Sequence, residues 1–289
     1  HALAGYIFTT NDTLAVALYL NETGKNSDAT SKDALDSIWI RLIQVADAEY
    51  QHIIQAKEFW LSAMEIKDIQ KRIQHFSEQL LETPYSLGPT GEGFKGKIDS
   101  KPIFRLDSVD CVTYMENVLA LSFAPHEDSI FSTLKQIRYL QGKPSFVNRK
   151  HYFVADWIQK SDFAKIVISK EDTTVEKKLP KKKFFEAKGI KQQNDELLKL
   201  SYLPLNKAKE FAGKNWNEAF KIRGIGLVFA GDAVDVFHVG FLILKPGEKP
   251  LFRHASQISG KVITQTLESY LENSKKKIPG IVQFEFLGN

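Results

Sequence analysis

One thiol and two imidazoles are the groups in this chain best suited to covalent chemistry. Cys111 is the single cysteine, in the run Val109-Asp110-Cys111-Val112-Thr113-Tyr114-Met115-Glu116. His238 opens the apolar run His238-Val239-Gly240-Phe241-Leu242-Ile243-Leu244, and His254 closes Leu251-Phe252-Arg253-His254. A cysteine nucleophile needs a base within reach and a third polar group to orient that base, and these three residues supply one of each. An isolated cysteine in an apolar segment is ordinarily core. Cys111 differs in following the loop Phe104-Arg105-Leu106-Asp107-Ser108 and standing where a helix should begin.

A helix starting near Asp110 places Cys111 in its first turn, where unpaired N–H groups and the macrodipole favour a thiolate. Asp110 opposes this by its charge unless its carboxylate caps the helix and points away. Met115, Val118 and Leu119 would anchor the helix downstream. For the histidines, a turn at Lys245-Pro246-Gly247 that pairs Leu244 with Glu248 sets His238 opposite His254 on one face. A turn centred nearer Gly247-Glu248 sets His254 opposite Phe241 and sends the two rings to opposite faces. Pro250 points to an edge strand or irregular geometry there.

Other chemistries fit less well. Cys111, His238 and His254 are legitimate zinc ligands, but no Cys-x-x-Cys or His-Glu-x-x-His spacing accompanies them, so no metal is expected. The segment Gly88 to Gly96 lacks the spacing and lysine of a phosphate loop and reads as a flexible groove wall. No cofactor is called for. His52 and His75 fall in leading helices, His126 follows Pro125 at a helix boundary, and His151 lies beside Arg149, Lys150 and Tyr152 as a packing residue or a substrate contact.

The elements that must position these groups change character along the chain. Leu35, Ile38, Trp39, Leu42, Ile43 and Ala46 recur at helical spacing between Lys32 and Tyr50. A second helix is expected from the capping-box spacing Ser62-Ala63-Met64-Glu65 through Ile66, Ile69, Ile73, Phe76 and Leu80, giving the first 80 residues a helical character. A turn-rich loop from Thr83 to Gly93 follows, then helices from Asp110 through Leu121 and from Asp128 to Leu140, and a helical or aromatic turn at His151–Ile158. Strands are expected at Ile166–Ile168, Gly226–Phe229, His238–Leu244, Leu251–Ala255 and Gly280–Phe286. Helices first and antiparallel strands later make an α+β fold, without the βαβ alternation of a nucleotide-binding sheet.

The 289 residues, 43% hydrophobic and 26% charged, suffice for a core that needs neither metal nor crosslinks. The single cysteine excludes an intrachain disulfide. A net charge of +4 is concentrated at Lys177-Lys178-Leu179-Pro180-Lys181-Lys182-Lys183 and Lys275-Lys276-Lys277, read as solvated loops or as attraction to an anionic polymer. Neither run has the interleaved aromatics of a base-stacking surface, so no nucleic acid is expected as partner. No stretch approaches the roughly 20 apolar residues of a membrane span. The opening His1-Ala2-Leu3-Ala4-Gly5-Tyr6-Ile7-Phe8 is too short to be a signal peptide, and a processed start is expected.

Leu106 to Glu116, His238 to Ile243 and Phe252-Arg253-His254-Ala255-Ser256, in this order, resemble the NlpC/P60 cysteine peptidase superfamily. Residues 65–289, including His151-Tyr152-Phe153-Val154-Ala155-Asp156-Trp157, resemble more closely its N-acetylmuramoyl-L-alanine amidase-like branch. The resemblance implies a papain-like core with the cysteine helix packed on an antiparallel sheet, preceded by a helical extension over residues 1–64 and interrupted by an insertion around 160–225. It implies Cys111 as nucleophile, His238 as base and His254 as the orienting residue. Tyr85 matches the family's Pro-Tyr element beside the cysteine, and Asp110, Val112, His151 and Tyr152 are the further candidates for substrate or oxyanion contacts.

The reaction implied is hydrolysis of an amide in peptidoglycan or muropeptides, by a monomer in the periplasm or otherwise exported. The bond from N-acetylmuramic acid to L-alanine is favoured over peptide bonds of the stem. The alternatives are a stem-peptide endopeptidase, a papain-like acyltransferase and a wall-binding protein that retains the fold without catalysis. Val112-Thr113 stands where the commoner superfamily pattern has Ser-Gly, so the usual D-glutamyl-diamino-acid specificity does not carry over.

Overall fold

In a computed structural model the described residues are 2–8, 13–19, 35–39, 52, 54–191, 194–274 and 276–288. The chain divides into two compact units, residues 1–58 and 59–289. In the first, β1 (Ala2–Phe8) and β2 (Thr13–Tyr19) form an antiparallel hairpin running from Ala2↔Tyr19 to Phe8↔Thr13. The expected helical character therefore does not extend to the opening residues. Leu14, Val16 and Leu18 recur at period two, the strand signature. Of the helix expected between Lys32 and Tyr50, residues 35–39 are helical and the remainder lies outside the described residues.

In the second unit, after a helical stretch that ends at residue 61, comes α1 (Ile69–Gln79), capped by Asp68, whose side chain accepts from Lys71 N. The expected start at Ser62 is thus displaced: the Ser62 hydroxyl donates to Phe59 O at 2.6 Å and caps nothing. Helix α2 (Cys111–Phe123) starts where its sequence predicts, and α3 (Ile130–Arg138) follows after a short 3-10 turn. Buried Glu116 of α2 accepts from Arg138 Nε of α3 at 2.6 Å, and the same guanidinium donates to Ile103 O, fastening the two helices to the preceding loop. The His151–Ile158 segment resolves as a π-helical turn over Phe153–Ile158.

The rest of the chain supplies β3 (Ala164–Val167), β4 (Thr173–Leu179), α4 (Lys181–Glu186), β5 (Glu196–Pro204), α5 (Leu205–Ala212), β6 (Lys221–Val228), β7 (Val236–Leu244), β8 (Leu251–Ser256), β9 (Lys261–Thr266), α6 (Leu267–Asn273) and β10 (Gly280–Phe286). Eight strands make one sheet in the order β4-β5-β10-β6-β7-β8-β9, with β3 also paired to β10. Every strand pairing in it is antiparallel, and the fold is α+β.

Both faces of this sheet are covered, which explains the unbroken apolar run Val239–Leu244. Phe241 meets Tyr114 of α2 edge-on at 5.5 Å on one side. Leu242 and Leu244 join Ala208 and Ala212 of α5 and Leu267 and Leu271 of α6 in a core cluster on the other. A strand covered on one face only would alternate polar and apolar residues.

The basic run Lys177–Lys183, expected as a solvated loop, is the end of β4 and the start of α4. Lys177 and Leu179 occupy inward positions two residues apart, and the Lys177 ammonium donates to the carbonyls of Phe229 and Gly231. Lys181, also buried, donates to Asp156 Oδ1 at 2.6 Å and to Glu196 Oε2 at 2.7 Å. The segment expected as an insertion thus adds strands to the sheet and salt-bridges itself to the π-turn.

Candidate active site

Local sequence fixes the start of α2. The Asp110 carboxylate accepts from Val112 N at 3.1 Å and from Thr113 N at 2.8 Å, while Thr113 Oγ1 accepts from Asp110 N at 2.8 Å, a reciprocal capping box. The second Asp110 oxygen accepts from Gly88 N at 3.2 Å, tying the preceding loop to the helix. Asp110 is therefore occupied by backbone donors. Val112, a candidate oxyanion donor, has its N–H turned to Asp110. None of these capping bonds uses the N–H of Cys111.

Cys111 is partly exposed. Its thiol lies against the N–H groups of Val239, Val112 and Cys111 itself, yet burial, and then the charge of Asp110, push its pKa up to about 12. The expected helix-start lowering is outweighed: the few N–H groups do not replace the water that the site excludes. The resting group is a thiol.

Tyr85 is held beside it by three segments. Tyr85 N donates to Gly260 O at 2.8 Å, Ser86 N donates to Val109 O at 2.9 Å, and Val109 N donates to Pro84 O at 2.9 Å. The Pro84–Ser86 stretch is thereby clipped between the β8–β9 turn and the residues leading into α2. Burial and the neighbouring Cys111 and Asp110 charges raise the Tyr85 phenol to about 12, so it remains a hydrogen-bond donor at neutral pH. The glycine-rich loop beyond it is pinned rather than flexible: Gly91 N, Glu92 N and Gly93 N donate to Pro102 O, Asp99 O and Lys101 O at 2.9–3.0 Å. A Cβ on Gly91 would fall 2.4 Å from Asp99 Oδ1.

The β7–β8 register follows neither alternative drawn from the turn. Phe241 pairs with Arg253, Leu242 with Phe252 and Ile243 with Leu251, a shift of two residues from the register that would oppose the two histidines. A shift of two preserves the face, and His254 consequently lies over Gly240, diagonal to His238. The His238 Nε2 to His254 Nδ1 distance is 2.7 Å. Gly240 permits this approach, because a Cβ there would stand 2.8 Å from His254 Cβ and 2.6 Å from Arg253 O.

Behind His254, Gln265 Nε2 of β9 lies 2.9 Å from His254 Nε2. Phe252 stacks on the His254 ring at 4.4 Å, and Tyr270 of α6 stands edge-on to it at 5.3 Å. Burial, aided by the mutual charge of the pair and by Lys276, lowers His238 to about 3, and burial lowers His254 to about 4. Both rings are neutral at pH 7. The Tyr270 phenol, packed against both histidine rings, is raised by burial and then by Cys111. Among the described residues no hydrogen bond joins Cys111 to His238.

The other two candidates, His151 and Tyr152, pack in an aromatic cluster. The His151 ring packs 4.5 Å from Phe146 and 4.9 Å from Phe184, with Nε2 2.7 Å from Phe146 O, and burial lowers its pKa to about 4. Tyr152 is buried under the Lys181 ammonium, 5.1 Å from the ring centre. Both help to fix the π-turn, which has a second fastening that the sequence reading missed. Buried Asp235, just before β7, accepts from Phe153 N, Val154 N, Ala155 N and Val236 N at 2.7–3.1 Å. A lone aspartate carries no local signal of that role. Gln265 and Tyr270 were equally silent, whereas Gly240, a glycine inside an apolar strand, is a signal of close backbone approach that was not drawn on.

No cluster of three or more His, Cys, Asp or Glu side chains arranged to hold a metal ion occurs among the described residues, and no described helix is long and apolar enough to cross a membrane. The chain is similar to a structure from Legionella pneumophila assigned to the DUF1460 family, with 25% identity, a TM-score of 0.72, and coverage of 84% of this chain and 96% of that one. It is also similar in fold to an N-acetylmuramoyl-L-alanine amidase from Bacteroides uniformis, with 22% identity, a TM-score of 0.57, and coverage of 75% and 98%. No curated protein matches. Residues 75–281 match the AmiA-like family model, described as N-acetylmuramoyl-L-alanine amidase-like, and this span holds Cys111, both histidines and Gln265: the chain belongs to that family.

Proposed function

We propose that the protein hydrolyses an amide of peptidoglycan or muropeptides through Cys111, on an NlpC/P60-type papain-like core, with the bond between N-acetylmuramic acid and L-alanine as the favoured target. The observation that carries this reading is the arrangement within the family-matched span: a helix-start thiol against Val239 N–H, next in sequence to a histidine that heads a buried hydrogen-bonded chain. A peptidoglycan substrate lies outside the cytoplasm, which implies export.

The mechanism starts from the neutral pair. His238 Nε2 is engaged by His254, which leaves Nδ1 to take the thiol proton as Cys111 Sγ attacks the carbonyl carbon. The tetrahedral oxyanion is met by the N–H of Cys111, which the capping bonds leave unused, and by the Tyr85 hydroxyl, whose raised pKa keeps its proton in place; a donor of this kind contributes about 3 kcal/mol in the transition state. The imidazolium protonates the departing amine, leaving a thioester. Water then attacks, giving its proton to His238, and the acid leaves with Cys111 restored. Apo geometry with base and nucleophile unjoined is usual, since such bonds tighten when substrate fills the site.

Incubation of purified muropeptides with the parent protein and with Cys111→Ala, with products resolved by mass, tests the proposal. The parent should release lactyl-alanine cleavage products, and Cys111→Ala none. Cleavage between amino acids would reassign the target to the stem peptide, and equal product from both proteins would remove Cys111 from the reaction.

A further inference from the structure

The hydrogen-bonded chain does not stop at the second histidine. Phe252 pairs with Gln265 and His254 with Ile263 across β8 and β9, so Gln265 is diagonal to His254 on the same face. Its amide completes the series Gln265–His254–His238, with steps of 2.9 and 2.7 Å. Each member of such a series can hold its protons in only two ways, and the choice propagates.

We propose that Gln265 is a positioning residue: the end of its amide that faces His254 decides which nitrogen of His238 carries the proton. With the amide nitrogen inward, Gln265 donates to His254 Nε2, His254 donates from Nδ1 to His238 Nε2, and the remaining His238 proton must sit on Nδ1. That tautomer cannot accept a proton from Cys111. A half-turn of the amide presents Oε1 instead. His254 then carries its proton on Nε2, accepts at Nδ1 from His238 Nε2–H, and leaves the His238 Nδ1 lone pair open. The imidazolium formed after proton transfer needs the same state, because it too must donate through Nε2. Both working forms of His238 therefore require the oxygen end of Gln265. The inference rests on the proposed role of His238 for its catalytic consequence, but its tautomer consequence stands without it.

The other titratable groups facing the pair are Tyr270 on α6, against both rings, and Lys276 before β10; Cys111 at the start of α2 acts on Tyr270 and on Tyr85 of the preceding loop. Lys276 acts to lower the His238 pKa and so disfavours the imidazolium. An oxygen acceptor at the far end of the chain offsets that repulsion.

Gln265→Leu and Gln265→Glu separate the outcomes. Nitrogen chemical shifts of labelled histidines should show His254 and His238 each in one tautomer in the parent and in a mixture in Gln265→Leu. Turnover of muropeptide should fall about tenfold to a hundredfold in Gln265→Leu with KM little changed, the range usual for partners that orient a functional histidine. Gln265→Glu presents only oxygen, so it should retain turnover. It should also raise the pKa of both histidines, and because a base must be neutral, the acid limb of kcat/KM should move to higher pH. Unchanged histidine shifts in Gln265→Leu, or matching turnover and pH profiles for the Leu and Glu variants, would overturn the proposal. Histidine shifts that respond as stated in a protein without muropeptide hydrolysis would instead retain the Gln265 relay and discard the proposed reaction.

Discussion

Gly240→Ala tests whether the close passage of β8 over β7 is what assembles the site. An added Cβ would stand 2.6 Å from Arg253 O, 2.7 Å from Phe252 Cε2 and 2.8 Å from His254 Cβ, where ordinary contact begins at 3.4 Å. Two of these three atoms belong to backbone or to a Cβ, so rotamer changes cannot relieve them; β8 must lift by about 0.6–0.8 Å. A lift of that size stretches the 2.7 Å His238–His254 contact to the edge of hydrogen bonding. Overpacking of this kind costs about 2–3 kcal/mol, which for a domain of this size lowers Tm by about 5–10 °C. Turnover should fall at least about a hundredfold as the base loses its orientation.

Gly247→Ala is the matched control: Gly247 has φ +78° with nothing within 4 Å of an added Cβ, so it incurs backbone strain of about 1–2 kcal/mol and should leave turnover intact. Thermal unfolding and muropeptide hydrolysis on both variants decide the matter. A Gly240→Ala protein with parental Tm and turnover would refute the steric account, and one that is destabilised but fully active would show that the histidine pair does not depend on this approach.

Two further outcomes follow from buried polar groups. Asp235→Asn leaves one acceptor where four N–H donors converge and turns an NH2 toward others, so it should cost about 3 kcal/mol; denaturant titration at the parental midpoint would contradict the fastening role. His151 has its folded pKa lowered to about 4 from an unfolded value near 6.5, so its contribution is intact above pH 6.5 and is lost as pH falls toward 4. Replacing it by phenylalanine should therefore make the protein relatively more stable at pH 4.5 than at pH 7, by about 2–3 kcal/mol. Urea midpoints with the same pH slope for both proteins would show that the ring is not buried neutral.

Much of this molecule is written in local sequence, where short-range physics decides. Asp110-Cys111-Val112-Thr113 specifies a capped helix start because the capping carboxylate and hydroxyl lie within one turn of the donors they bind. The apolar run after His238 and the run before Phe286 specify strands, and the family resemblance followed from the order of such segments. Other assignments failed for equally local reasons: Ser62 and Asp68 both have the chemistry of a cap, and packing of Ile73 and Phe76 selects the second.

The tertiary structure alone decided the register of β7 on β8, since a turn between two strands admits several pairings and only the sheet's shared core excludes the rest. From that register follow the His238–His254 contact and the need for Gly240; the β8–β9 pairing and α6 bring in Gln265 and Tyr270, which bear no motif. The state of Cys111 was also settled there. A helix start by itself lowers a thiol pKa, but how much water the surrounding strands, tyrosines and loop exclude is a property of the assembled fold, and here that exclusion prevails.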